Sequence, residues 1–188
     1  MKQIFTGLLI CLCLQQAVWA QIAPENISMT LLQGKFTLNK KVLTPDWSLA
    51  TGQQVLGSAS RDRTGFNITH TYDEAGVVLF ESASDKVGSG IIIELQVYFS
   101  APDEQNAVVP SGVYTGKFTL ENTAMDRHVP MDDMRKKLLA AKYTESESYT
   151  EHNYRFALNG IYIYLLYDED ETRLIKISVG KDKTKVSD

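Results

Sequence analysis

The side chains with the most chemical potential in this sequence are three histidines, one acidic run, and a set of aromatic and polar residues at alternating positions. His70, His128 and His152 are the whole histidine inventory, and a zinc or catalytic site would need some of them to converge with carboxylates. His70-Thr71-Tyr72 and His152-Asn153-Tyr154 share one context, which favours a framework role on two strands. Asp168-Glu169-Asp170-Glu171 is the densest acidic cluster. It lacks the alternating ligand spacing of a calcium loop, so a solvated hairpin tip is the simpler account. Asp132 and Asp133 are explained by the positive end of a helix dipole. There is no Gly-rich phosphate loop after a strand, no nucleophile elbow and no His-Glu-x-x-His helix. The expectation is therefore a protein that is not an enzyme and uses no cofactor or metal. The catalytic alternative, a hydrolase with an unrecognised site, would need His70, Asp73 and a serine to meet in a cleft.

The constellation best suited to function is a sheet face. Ile93, Leu95, Val97 and Phe99 alternate with Glu94, Gln96 and Tyr98, the pattern of a strand with one buried and one wetter side. Lys176 falls on the wetter side of a second strand, and Phe80, Tyr162 and Tyr164 join it if their strands keep the same parity. Rings mixed with polar groups on an open sheet suit protein binding, because aromatic side chains bury much area at modest entropic cost. The competing account is that this face packs inside the protein or only satisfies β propensity. A single bulge would invert the parity.

The elements that must position this face come from an apparent duplication. Gly34-Lys35-Phe36-Thr37-Leu38 recurs as Gly116-Lys117-Phe118-Thr119-Leu120, and the same 82-residue offset relates His70 to His152 and Ile93, Leu95 and Val97 to Ile175, Ile177 and Val179. Each copy is expected to hold a short strand at Phe36 or Phe118, a helix, and three antiparallel strands. These strands cover residues near 67–73, 76–82 and 91–99, then 149–157, 160–167 and 173–179. Thr44-Pro45-Asp46 marks the first helix start, and Gly57 follows its end at Val55 and Leu56. Pro130 precedes the second helix, whose apolar stripe is Met131, Met134, Leu138 and Ala141. The expected fold class is α+β: two tandem helix-plus-antiparallel-sheet repeats forming one sheet with helices on one face. Residues 21–99 would form the first repeat, 100–112 a linker and 113–188 the second.

Residues 1–20 have the features of a signal peptide: Lys2, an apolar run from Ile4 to Leu14, and Ala17-Val18-Trp19-Ala20 before a cleavage site after Ala20. The run is too short to span a membrane. Cys11 and Cys13 both lie in it, so the mature part has no cysteine and no disulfide or thiol chemistry. The chain has 19 Lys and Arg against 23 Asp and Glu, a net charge of −4, and loss of Lys2 with the leader makes it −5. That balance disfavours nucleic acid and favours a basic protein partner. A soluble periplasmic or secreted location is expected.

The layout of a helical segment ahead of an antiparallel sheet, present twice, resembles the β-lactamase inhibitor protein fold and small outer-membrane assembly lipoproteins. Val55-Leu56-Gly57-Ser58-Ala59-Ser60, Tyr72-Asp73-Glu74-Ala75-Gly76 and Ile93-Glu94-Leu95-Gln96-Val97 also look similar to a bacterial exported domain family of unknown function. The resemblance implies inhibitor-like binding. The leading expectation is a soluble periplasmic protein-binding module, an inhibitor or immunity-type protein acting by steric occlusion. The alternative is an envelope assembly or housekeeping factor.

Overall fold

The computed structural model describes residues 22–44, 46–84, 87–102, 106–147 and 150–181. The expected leader, Pro45 and the last seven residues lie outside them. The strands are β1 Ser28–Leu32, β2 Lys35–Leu38, β3 Lys41–Val42, β4 Arg61–Thr64, β5 Ile68–Tyr72, β6 Val77–Ser84, β7 Val87–Tyr98, β8 Lys117–Leu120, β9 Thr123–Met125, β10 Thr144–Ser146, β11 Asn153–Leu158, β12 Ile161–Tyr167 and β13 Leu174–Lys181. The helices are α1 Leu49–Leu56 and α2 Met131–Ala140.

The strands form a five-stranded sheet, β3-β2-β1-β8-β9, and an eight-stranded sheet, β10-β11-β12-β13-β7-β6-β5-β4. This overturns the α+β expectation of helix-plus-sheet repeats in one sheet. The described chain is mostly β, with 13 strands in two sheets and two short helices. The second sheet escaped notice for a physical reason. Most of its strands have only 2 to 5 residues, too few for alternation to register, and they are joined by two-residue turns. Both turn residues have positive φ at Gln33-Gly34, Asn39-Lys40 and Glu121-Asn122, the geometry that follows the twist of antiparallel strands. Only the first of these contains the glycine that would advertise it. β1 also pairs in parallel with β8, Met29 opposite Phe118, a long-range contact with no local signature.

The inner faces of the two sheets enclose one core. Phe36 stacks on Trp47 at 5.6 Å, and Phe118 lies 6.3 Å from Phe36 and 6.0 Å from Phe99. From the larger sheet, Leu79, Leu95, Val97, Phe156, Ile163, Leu165, Ile177 and Val179 are fully buried against them. α2 buries Met131, Met134 and Leu138, three of the four stripe residues. α1 begins later than Thr44, with Ser48 as the capping side chain to Thr51 N–H at 3.4 Å. Gly52 lets it approach the sheet, since a Cβ there would lie 3.0 Å from Leu79.

Candidate functional site

The larger sheet has a core side and an outer side, and the register fixes which residues share the outer one. One row runs Arg61, Thr71, Val78, Gln96 across β4 to β7, and another runs Thr144, Ala157, Tyr162, Gly180 across β10 to β13. Glu94 pairs with Phe80 and Gly180, Tyr98 with Lys176, and Tyr164 with Arg155 and Ser178. All seven residues proposed from the sequence, Phe80, Glu94, Gln96, Tyr98, Tyr162, Tyr164 and Lys176, therefore lie on this one side. A register shift beyond Phe80 carries Ile92 into the core and leaves Ile93 half-buried, the bulge effect that limits any reading of parity from alternation.

A hydrogen-bonded chain crosses the middle of the face. Tyr98 donates to Gln96 Oε1 at 2.9 Å, Gln96 Nε2 donates to Glu94 Oε1 at 2.6 Å, and Tyr162 donates to Glu94 Oε2 at 2.6 Å. Tyr162 reaches β7 by lying across β13 over Gly180, where a Cβ would stand 2.3 Å from its hydroxyl oxygen. Glycine is required here by close approach. Burial, then the adjacent Glu94 carboxylate, pushes the Tyr98 phenol up to about 12 and the Tyr162 phenol well above the usual tyrosine range. Burial pulls the Lys176 ammonium down, against the pull of Glu94, and its Nζ sits 5.5 Å from the Tyr98 ring centre.

The two halves of the face differ in cover. Over β4 to β7 the chain lays its own segment, residues 106–110. Val109 packs on Val78 and Tyr98, flanked by Phe80 and Val108. Arg61 donates to the carbonyls of Ala107 and Val109, both at 2.9 Å, and clasps the Asp73 carboxylate. Thr71 Oγ1 donates to Val108 O at 3.3 Å. Arg61 in turn holds the Asp73 carboxyl below its ordinary range. The segment expected to be a linker is thus a strap, and it leaves Tyr98 at 5% and Gln96 at 9% exposure. Those two residues support the face from beneath. Over β10 to β13, Tyr162, Tyr164, Leu166 and Lys176 remain half-exposed. Tyr162 and Tyr164 meet edge to face at 5.2 Å, and the Arg155 guanidinium lies 5.8 and 5.9 Å from their centres. Sequence reasoning missed Arg155, whose outer parity follows from Tyr164 only once the β11 to β12 register is known.

The histidines do not converge. His70 lies on the core side between Asp62 at 2.8 Å and the buried Glu81 at 3.0 Å. Both ring nitrogens are engaged by carboxylates, so His70 activates no hydroxyl, and Asp73 is committed to Arg61 instead. His152 contacts Glu171 at 3.4 Å, Tyr154 donates to the same carboxylate, and His128 is exposed. Asp168 closes the acidic tip by accepting from the backbone of Thr172 and Arg173. Among the described residues no group of three or more His, Cys, Asp or Glu is placed to hold a metal ion, and no helix is long and apolar enough to cross a membrane.

Residues 28–135 match a protein family described as a domain of unknown function, DUF7738. No curated protein matches the chain. Among solved structures it is similar to an extracellular protein containing a SCP domain from Bacillus anthracis str. Ames, with 11% identity and a TM-score of 0.47. The match covers 73% of this chain and 44% of that one, so this chain spans less than half the length of that protein.

Proposed function

We propose that this chain, which belongs to the DUF7738 family of unknown function, is an exported protein-binding module that acts by occluding another protein. Its contact surface in this reading is the uncovered half of the outer sheet face. One observation carries the proposal: the strap covers the β4 to β7 half, whereas the β10 to β13 half keeps Tyr162, Tyr164, Arg155 and Lys176 together without cover from the described chain. Clustered tyrosines and an arginine are the side chains that dominate binding energy at protein interfaces. Arg155 and Lys176 also make the local charge more positive than the net charge of −4 suggests. The partner surface therefore offers carbonyl or carboxylate oxygens, in place of the basic partner expected from overall charge. Export rests on the leader, and the non-catalytic reading rests on the separation of the histidines from any hydroxyl.

The test is affinity capture from envelope extract with the mature chain, beside Tyr162→Ala and Tyr164→Ala variants shown to be folded by circular dichroism. A specific captured protein whose retention falls about tenfold or more in the variants supports the reading. No captured protein, or capture indifferent to both substitutions, refutes it.

A further inference from the structure

The two halves of the eight-stranded sheet can be compared row by row. The tight end of the β5–β6 hairpin is the pair Tyr72 and Val77, and the next pair, Thr71 and Val78, faces outward. The tight end of the β11–β12 hairpin is Leu158 and Ile161, and the next pair, Ala157 and Tyr162, faces outward in the same way. Continuing to each sheet edge, Arg61 stands beside Thr71 and Thr144 beside Ala157. The strap sits on the first of these positions: Val109 over Val78, its carbonyl taken by Arg61, and Val108 O taken by Thr71. The second position is a cavity of about 190 Å³ bounded by Thr144, Ser146, Arg155, Ala157 and the Asn159-Gly160 turn. Its floor is a methyl group, its wall has a threonine and a serine, and its cation is an arginine that also bonds Ser146 Oγ at 2.9 Å. Those are the ingredients that hold the strap: a small apolar floor, a hydroxyl and a guanidinium near the backbone.

We propose that this cavity seats an extended, β-branched segment of the partner protein, bound as residues 106–110 are bound on the other half of the same face. The inference rests on the protein-binding reading and adds the kind of segment the partner presents. Main-chain carbonyls of the incoming segment accept from the seat, and its apolar side chains cover Ala157 and the edge of Tyr162. An arriving segment needs no rearrangement of the sheet, since the seat is already concave.

A capped synthetic peptide with the sequence of residues 106–112, Asn-Ala-Val-Val-Pro-Ser-Gly, is the probe, titrated into the isotope-labelled mature chain and followed by amide chemical shifts. The tethered strap outcompetes a free peptide at its own seat, because its effective concentration is about millimolar or higher. Shifts are therefore expected at Thr144, Ser146, Ala157 and Tyr162, and an Ala157→Trp variant should weaken them about tenfold by filling the seat. Thr144→Trp, on the exposed edge strand, provides a second variant if the first does not fold. Absent shifts, shifts confined to Thr71 and Val78, or shifts unaffected by a folded tryptophan variant would overturn the proposal. Capture that fails in Tyr164→Ala but survives in Ala157→Trp would retain the binding face and eliminate this seat. Peptide binding at the seat with no captured protein would retain the seat and eliminate the partner reading above.

Discussion

Gly180→Ala puts the organisation of the outer face to a quantitative test. A methyl group built at Gly180 stands 2.3 Å from the Tyr162 hydroxyl oxygen, 2.4 Å from its Cζ and 2.7 Å from the Ile93 carbonyl oxygen. Tyr162 can swing away, but the Ile93 backbone cannot move without disturbing the pairing of β7 with β13. Overpacking of this kind costs about 1–3 kcal/mol. Ejection of Tyr162 also removes its hydrogen bond to Glu94. Without a clash the sign would reverse, since alanine in a strand is favoured over glycine by roughly 0.5–1 kcal/mol. For a domain of this size the expected loss lowers Tm by about 2–12 °C, measured by thermal melts and urea unfolding. Tyr162→Ala combined with Gly180→Ala removes the ring contacts and leaves only the Ile93 carbonyl. The double variant should therefore lose less than the sum of the singles, with a coupling of about 0.5–3 kcal/mol. A Gly180→Ala protein as stable as the parent, or strict additivity in the cycle, would refute the placement of Tyr162 across β13.

Two further outcomes follow from buried groups. His70→Ala should cost about 3–5 kcal/mol by stranding the Glu81 carboxylate, whose side chain is 6% exposed. His70→Leu with Glu81→Leu should recover most of that loss in urea unfolding, and equal instability of single and double variants would contradict a buried pair. Tyr98 is held neutral by burial, with its phenol pushed up from 10.0 to about 12. Its contribution to stability is complete below pH 10 and is lost as pH rises toward 12. Tyr98→Phe should flatten that part of the alkaline decline in urea midpoints, and an unchanged pH profile would count against the buried phenol.

The larger sheet was legible in the sequence because its strands are long enough to alternate. β7 and β12 carry five or more residues of clear period, and Asn159-Gly160 announces the turn between β11 and β12. The smaller sheet was not, and with it the fold class was misjudged. Strands of 2 to 5 residues are specified by pairing with distant segments, as β1 is by β8, and by two-residue turns that use Asn39-Lys40 and Glu121-Asn122 without glycine. α1 was placed too early for a similar reason: Thr44-Pro45-Asp46 has the residue types of a helix start, but Ser48 makes the cap because Trp47 must first enter the core against Phe36. Tertiary packing overrode a local signal.

At the site, period identified the face and could not reveal its cover. Glu94, Gln96 and Tyr98 are polar or amphipathic at alternating positions, which the sequence shares with any solvent-facing strand. What buries Tyr98 and Gln96 is residues 106–110, and nothing in Ala107-Val108-Val109-Pro110 distinguishes a strap from a linker except that two valines in a connection would otherwise face water. Arg61 and Asp73, 12 positions apart, make the distinction physical. Their pairing turns the guanidinium toward the strap carbonyls and closes one half of the face. Because Gly180 then lets Tyr162 reach Glu94 from the other half, the polar chain ends at the boundary between covered and uncovered surface. The rings beyond that boundary, Tyr162 and Tyr164 with Arg155, owe their exposure to the absence of a second strap among the described residues, and this asymmetry separates a binding surface from an ordinary outer sheet face.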